Sequence, residues 1–206
     1  MISKEWLRGI GPGAGEWSLA MRTRLWLVIV MTLFVAACQD TGPKPVFISG
    51  SDGRQASTAG KSHFIEFRSR YALSYGHTYV VFGRLDKAGN YINPQVAGLH
   101  PKSYDAGVYV TGHFLPVPAE TGWSDGDLEE EYRSASWRVM LTEAEYNKTV
   151  AYVKDLQART TTWHATVNNC NAFVGNIARS MGYQVPGIWL RPQQFVTRLR
   201  EMATES

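Results

Sequence analysis

Asn168-Asn169-Cys170-Asn171-Ala172-Phe173-Val174-Gly175-Asn176-Ile177-Ala178-Arg179-Ser180-Met181-Gly182 is the stretch that decides the fold. Phe173, Ile177 and Met181 recur at helical spacing, and Gly182 suits a left-handed C-cap, so the segment predicts a helix opening near the cysteine. An asparagine-rich loop runs into it. A thiol in the first turn of a helix feels the positive end of the macrodipole and several unpaired backbone N–H groups. Both favour thiolate over thiol. Cys170 is therefore a candidate nucleophile; the competing reading is a small buried hydrophobe, the commoner state of a free cysteine.

The second cysteine weighs on that choice. Met21-Arg22-Thr23-Arg24 is a short basic stretch, followed by an apolar run from Leu25 to Val35 and then Ala36-Ala37-Cys38. This is the order of a secretory signal peptide, with an apolar segment too short to span a membrane. Val35-Ala36-Ala37-Cys38 resembles a bacterial lipobox, which implies that Cys38 carries fatty acyl chains such as palmitate and becomes the mature N-terminus. Residues 1–20 precede a complete signal and are expected to come from an upstream mis-start, with Met21 as initiator. Residues 21–37 are the signal, 38–61 a flexible Gly/Ser/Thr/Pro-rich tether holding the domain off the membrane, and 62–204 one folded domain. In that domain Cys170 has no cysteine partner. An exported lone thiol risks oxidation, which favours a functional reading.

Composition narrows the partners. The chain has a formal net charge of +3. Lys4, Arg8, Arg22 and Arg24, against Glu5 and Glu16, belong to the first 37 residues, so the mature chain is close to neutral. No basic patch with interleaved aromatics argues for nucleic acid.

Strands come first and helices last. His63 to Arg68, Thr78 to Gly83, Tyr91 to Val96, Gly107 to Thr111 and Trp137 to Leu141 are strand candidates, with a hairpin turn at Asp86 to Asn90. Gly112 to Asp127 is expected to be a long loop. Thr142 and Glu145 form a capping box, with Leu141 and Tyr146 as its staple. Tyr146, Val150, Val153 and Leu156 then stripe a helix ending near Arg159. A final helix opens with Pro192 and carries Phe195, Leu199 and Met202 on one face. The fold class is α+β, an antiparallel sheet with helices gathered toward the C-terminus.

A cysteine nucleophile needs a base, usually histidine. Of the five histidines, His77 stands between Gly76 and the apolar strand that follows. This strand-edge position is expected to fix its backbone and leave its side chain open. No His/Cys pair has metal-ligand spacing, so neither a metal nor another cofactor is expected.

Asn169-Cys170-Asn171-Ala172-Phe173, with Gly182, Val185-Pro186 and a final helix, resembles the C-terminal motif of the permuted papain-fold group. That group includes the desumoylating isopeptidase-like proteins, permuted NlpC-type hydrolases and lecithin retinol acyltransferase-like enzymes. Gly76-His77-Thr78-Tyr79-Val80-Val81-Phe82-Gly83 is similar to the group's histidine strand and stands in the same order. The resemblance covers roughly residues 76–200. It implies a permuted papain-like (NlpC-type) fold, a thiol nucleophile at Cys170 and an imidazole base at His77. A third polar group from a neighbouring strand would orient the base: His100 is the choice, with Asn93 next. The oxyanion would be held by the Cys170 backbone N–H. Asn168, Asn169 or Asn171 would either supply a second donor or cap the helix.

The chemistry implied is acyl transfer through a thioester. The substrate is an amide or ester, with peptidoglycan stem peptides first and lipid or protein acyl groups next. Tyr104, Tyr109, Phe114, Trp123 and Trp137 either line a cleft or pack the core. The expected location is the periplasm-facing cell envelope, anchored by the N-terminal lipid. Outer membrane is preferred because Asp does not directly follow Cys38. The alternative is an inactive binding or structural lipoprotein of the same fold.

Overall fold

The computed structural model describes residues 48–51, 61–72 and 75–204. The segment expected to be a lipobox, Cys38 and the residues before it lie outside the described residues. A five-stranded sheet runs in the order β1 (Ile48–Ser51), β7 (Arg133–Leu141), β2 (His63–Arg70), β3 (His77–Leu85), β4 (Tyr91–Gly98). It is antiparallel apart from the parallel β1–β7 pair. A smaller antiparallel sheet joins β5 (His100–Pro101), β6 (Val117–Glu120) and β8 (Thr162–Trp163), in that order. The helices are α1 (Ala106–Thr111), α2 (Glu143–Arg159), α3 (Cys170–Ser180) and α4 (Pro192–Thr204), with a 3-10 turn at Glu130–Tyr132. Among the described residues no helix is long and apolar enough to cross a membrane.

Period-two alternation fixes which sheet face meets the helices. Ile65 and Phe67 of β2, Val80 and Phe82 of β3, and Trp137 and Val139 of β7 join one buried cluster with Val153 and Leu156 of α2, Phe173 and Ile177 of α3, and Phe195 and Leu199 of α4. Phe195, Val196 and Leu199 are fully buried. Burying each such side chain is worth roughly 1.5–3 kcal/mol, which outweighs the few tenths lost to the β-branched residues of α4.

The helix ends follow the sequence closely. Thr142 Oγ1 accepts the Glu145 N–H at 3.3 Å while the Glu145 carboxylate accepts the Thr142 N–H at 2.8 Å, completing the capping box. At the end of α3, Gly182 adopts φ +91°, and Tyr183 N–H reaches Ala178 O while Gly182 N–H reaches Arg179 O. These two bonds make a Schellman motif, satisfying carbonyls that would otherwise be left bare.

Three expectations need correction. Gly107 to Thr111 lies in α1 rather than a strand: Asp105 Oδ1 accepts the Gly107 N–H at 2.7 Å, and this cap overrides the β-branched content. The loop expected at 112–127 contains β6, which pairs with β5 and β8; Pro118 fits because its carbonyl accepts the Lys102 N–H and it has no N–H to satisfy. Within the stretch read as a tether, Ile48–Ser51 is a strand paired to Ala135 through Arg138.

Candidate functional site

β3 and α3 meet at one end of the large sheet. Asn169 is the N-cap of α3, accepting the Ala172 N–H at 3.0 Å. Its amide donates to the Ala165 and Ile188 carbonyls at 2.8 and 3.2 Å. Asn171, fully buried, donates to the Ile188 and Leu190 carbonyls at 3.0 and 2.7 Å and accepts the Thr78 hydroxyl at 2.6 Å. Both amide protons of each asparagine are therefore spent on backbone carbonyls. Asn169 and Asn171 are positioning groups, and neither has a side-chain N–H left for an oxyanion. Asn168 donates to the Thr162 carbonyl at 2.6 Å and closes the His164–Asn168 bridge.

Through the Asn171–Thr78 bond, the first turn of α3 is clamped to the first residues of β3. Cys170 is 6% exposed. Burial pushes its thiol upward, against the opposing pull of the Thr78 and Asn171 backbone N–H groups and the Thr78 hydroxyl. The helix-start position was expected to favour thiolate; desolvation outweighs that effect here.

His77 is also buried, 6% exposed, and not the open side chain its strand-edge position suggests. It shares a face with Tyr79, their rings stacked 5.6 Å apart, whereas Thr78 faces α3. Its Nε2 is buried with no hydrogen-bond partner, the Cys170 sulfur included. Burial holds the imidazole down at about 4, with Asp127 opposing this and Arg70 and His100 adding to it. Arg70 is directly opposite His77 in the β2–β3 register and donates to Asp127 Oδ1 at 2.7 Å.

His100 stands with His77. The rings lie 6.0 Å apart, edge to face, and His100 Nδ1 is 3.0 Å from the Pro101 carbonyl. A carbonyl can only accept, so Nδ1 carries the proton of the neutral ring. Nε2 is then a bare acceptor, and it too is buried without a partner. Asn93, the other candidate for the third role, sits beside the β3–β4 hairpin turn, at the far end of β3 from His77. The thiol and the His77 ring are both pushed by burial toward their neutral forms, and the His100 ring stands edge-on to His77.

No motif or spacing in the sequence singles out Thr78, Asp127 or Gly98. Gly98 matters because a Cβ built there would lie 2.7 Å from His77 Nε2 and 2.9 Å from Tyr79 Cβ. Gly98→Ala is expected to cost about 1–3 kcal/mol by overpacking. In a denaturation double-mutant cycle, adding His77→Ala should recover part of that loss. Strictly additive losses would show that the ring and the new methyl do not meet.

Of the five aromatics expected at a cleft or in the core, Trp137 is core, 1% exposed and stacked on Phe67. Tyr104, Phe114 and Trp123 are 65%, 77% and 56% exposed, and Tyr109 packs edge-on against Trp163. Among the described residues no group of three or more His, Cys, Asp or Glu side chains is placed to hold a metal ion. Compared with family models, curated proteins and solved structures, the chain matches none.

Proposed function

We propose that this chain is an envelope lipoprotein whose domain is a permuted papain-like thiol hydrolase or acyltransferase, acting on an amide or ester, with cell-wall peptide as the first substrate class. Cys170 attacks the carbonyl while His77 takes its proton and passes it to the leaving amine or alcohol as the thioester forms. Water or another acceptor then releases the acyl group and returns the thiol, with His100, edge-on to His77, orienting the base. What supports this reading is that Thr78, the neighbour of His77 in β3, is hydrogen-bonded to the first turn of the Cys170 helix, and that His77 and His100 stand edge to face with buried Nε2 atoms that have no partner. Buried polar atoms without partners are costly, and such groups collect at functional sites.

A second reading is favoured by specific facts. Cys170 and His77 are both buried, their titrations are pushed apart from the thiolate–imidazolium pairing, and His77 Nε2 does not reach the sulfur. That is what a catalytically inactive binding or structural lipoprotein of the same fold would have.

Intact mass after exposure to activated acyl esters and stem-peptide amides separates the two. The hydrolase reading expects an acyl adduct on Cys170 that forms much more slowly in His77→Ala. Equal rates in both proteins would remove His77 from the mechanism. A folded protein that acquires no adduct and whose thiol resists small alkylating reagents would be the binding or structural form.

A further inference from the structure

The parallel β1–β7 pair settles where the chain enters the fold. Ile48 pairs with Ala135, Ala135 with Ser69, and Ser69 with Thr78, forming one row across the sheet. At about 4.8 Å per strand, Ile48 is roughly 14 Å from Thr78, the residue clamped to the start of α3. The chain therefore arrives at the same sheet end as Cys170, His77 and His100. Cys38 precedes Ile48 by ten residues, and a fully extended segment of that length reaches at most about 35 Å.

That same end is rimmed with exposed apolar side chains. Tyr75, between β2 and β3, is 52% exposed, and Tyr104, stacked on His100, is 65% exposed. Phe114 and Leu115, just after α1, are 77% and 63% exposed, Val167 is 67% and Trp189 is 73%. Hydrogen bonds join the backbone segments that carry the last four around the helix start. Ala165 N–H reaches Gly112 O, Trp189 Nε1 donates to Thr166 O at 2.8 Å, and Asn169 holds the Ala165 carbonyl. Single exposed apolar residues need no explanation, but a connected rim rich in aromatics marks an interaction surface. Trp and Tyr suit a lipid interface because one end of the ring is apolar and the other polar.

We infer that this sheet end rests on a lipid bilayer, with Phe114, Leu115, Val167 and Trp189 in the interfacial layer and the Cys170 site facing the membrane. The inference rests on the lipoprotein reading of Cys38, which supplies the nearby anchor. The domain is then drawn down onto the surface rather than held off it by a long tether. Asp125, Glu129 and Glu131 in the loop before β7 are exposed at this end, so the surface suits a zwitterionic lipid better than an anionic one.

The test uses the full chain made with its own signal and reconstituted into phosphatidylcholine vesicles brominated on the acyl chains. The mass of the N-terminal peptide reports acylation of Cys38 separately. Bromine quenching of tryptophan fluorescence is expected in the wild type and should fall by about half in Trp189→Phe, Trp123 remaining at the same end. The pair Phe114→Glu and Leu115→Glu should reduce the Trp189 contribution several-fold without moving the thermal midpoint, since both side chains are exposed. An acylated protein whose quenching ignores Trp189 and the glutamates overturns the inference. Trp189-dependent quenching without acylation sustains the docking face and removes the lipoprotein reading. Neither acylation nor quenching removes both.

Discussion

Cys170→Ala is expected to lower turnover of an acyl substrate by at least about 10³-fold while leaving the fold intact, since Cys170 is the one cysteine among the described residues and a thioester needs a thiol. The side chain lost is small, and Asn169 and Asn171 hold the first turn of α3 through bonds that do not involve the sulfur. The stability change should therefore stay near 1 kcal/mol. The two variants Cys170→Ala and His77→Ala should not add: a base has nothing to activate once the nucleophile is gone. A double variant with the same residual rate as Cys170→Ala, alongside a slower but measurable His77→Ala, is the expected pattern. Undiminished turnover in Cys170→Ala would end the thiol-enzyme reading, and additive losses would place His77 outside the reaction.

How far the sequence reveals this arrangement depends on whether a feature is local. The capping box at Thr142, the Gly182 C-cap and Pro192 at the head of α4 are legible because each satisfies backbone groups within a few residues. The core face of β3 follows from alternation. Gly107 to Thr111 misleads because Val and Tyr speak for a strand while the Asp105 cap decides for a helix. β6 is hidden by Pro118, since its pairing needs only selected backbone groups. At the site, Cys170 and the order of His77 and His100 are visible, but their burial is not. Nor is the fate of the asparagine amides, because the carbonyls they bind at 165, 188 and 190 are remote in the chain or reached only by the folded loop. The polar positions of β2 mislead most. Glu66 and Arg68 alternate with apolar Ile65 and Phe67 as a solvated face would, yet each is 1% exposed.

That hidden face supports the second large effect. Glu66 Oε1 accepts Arg68 Nε at 2.9 Å and Arg133 Nη1 at 3.3 Å; Oε2 accepts Arg138 Nε at 2.7 Å and the Tyr91 hydroxyl at 2.9 Å. Arg68 and Arg138 in turn donate to Tyr91 Oη, and Arg68 reaches Glu130 at 2.9 Å. Burial alone would raise the Glu66 carboxyl, but the charges and hydrogen bonds of Arg68 and Arg138 outweigh it and hold the carboxyl below its ordinary value of 4.5. Glu66→Gln removes the buried anion of this cluster and leaves Arg68 facing half-exposed Glu130. Breaking a buried pair from one side costs about 3–5 kcal/mol, and the surviving Glu130 contact puts the expected loss near the lower end. Removing Arg68 as well, with Glu66→Leu and Arg68→Met, should cost less than Glu66→Gln alone, because no buried charge is left stranded on β2. The pH dependence has a fixed sign. A carboxyl with a depressed folded pKa contributes stability that is complete above its unfolded value and disappears as pH falls through the folded one. Wild-type stability should thus decline on acidification below the ordinary carboxylate range, and Glu66→Gln should lose part of that decline. Denaturant melts at neutral and acid pH measure both. A Glu66→Gln loss below about 1 kcal/mol would mean that the cluster's charges are offset by solvent rather than by one another.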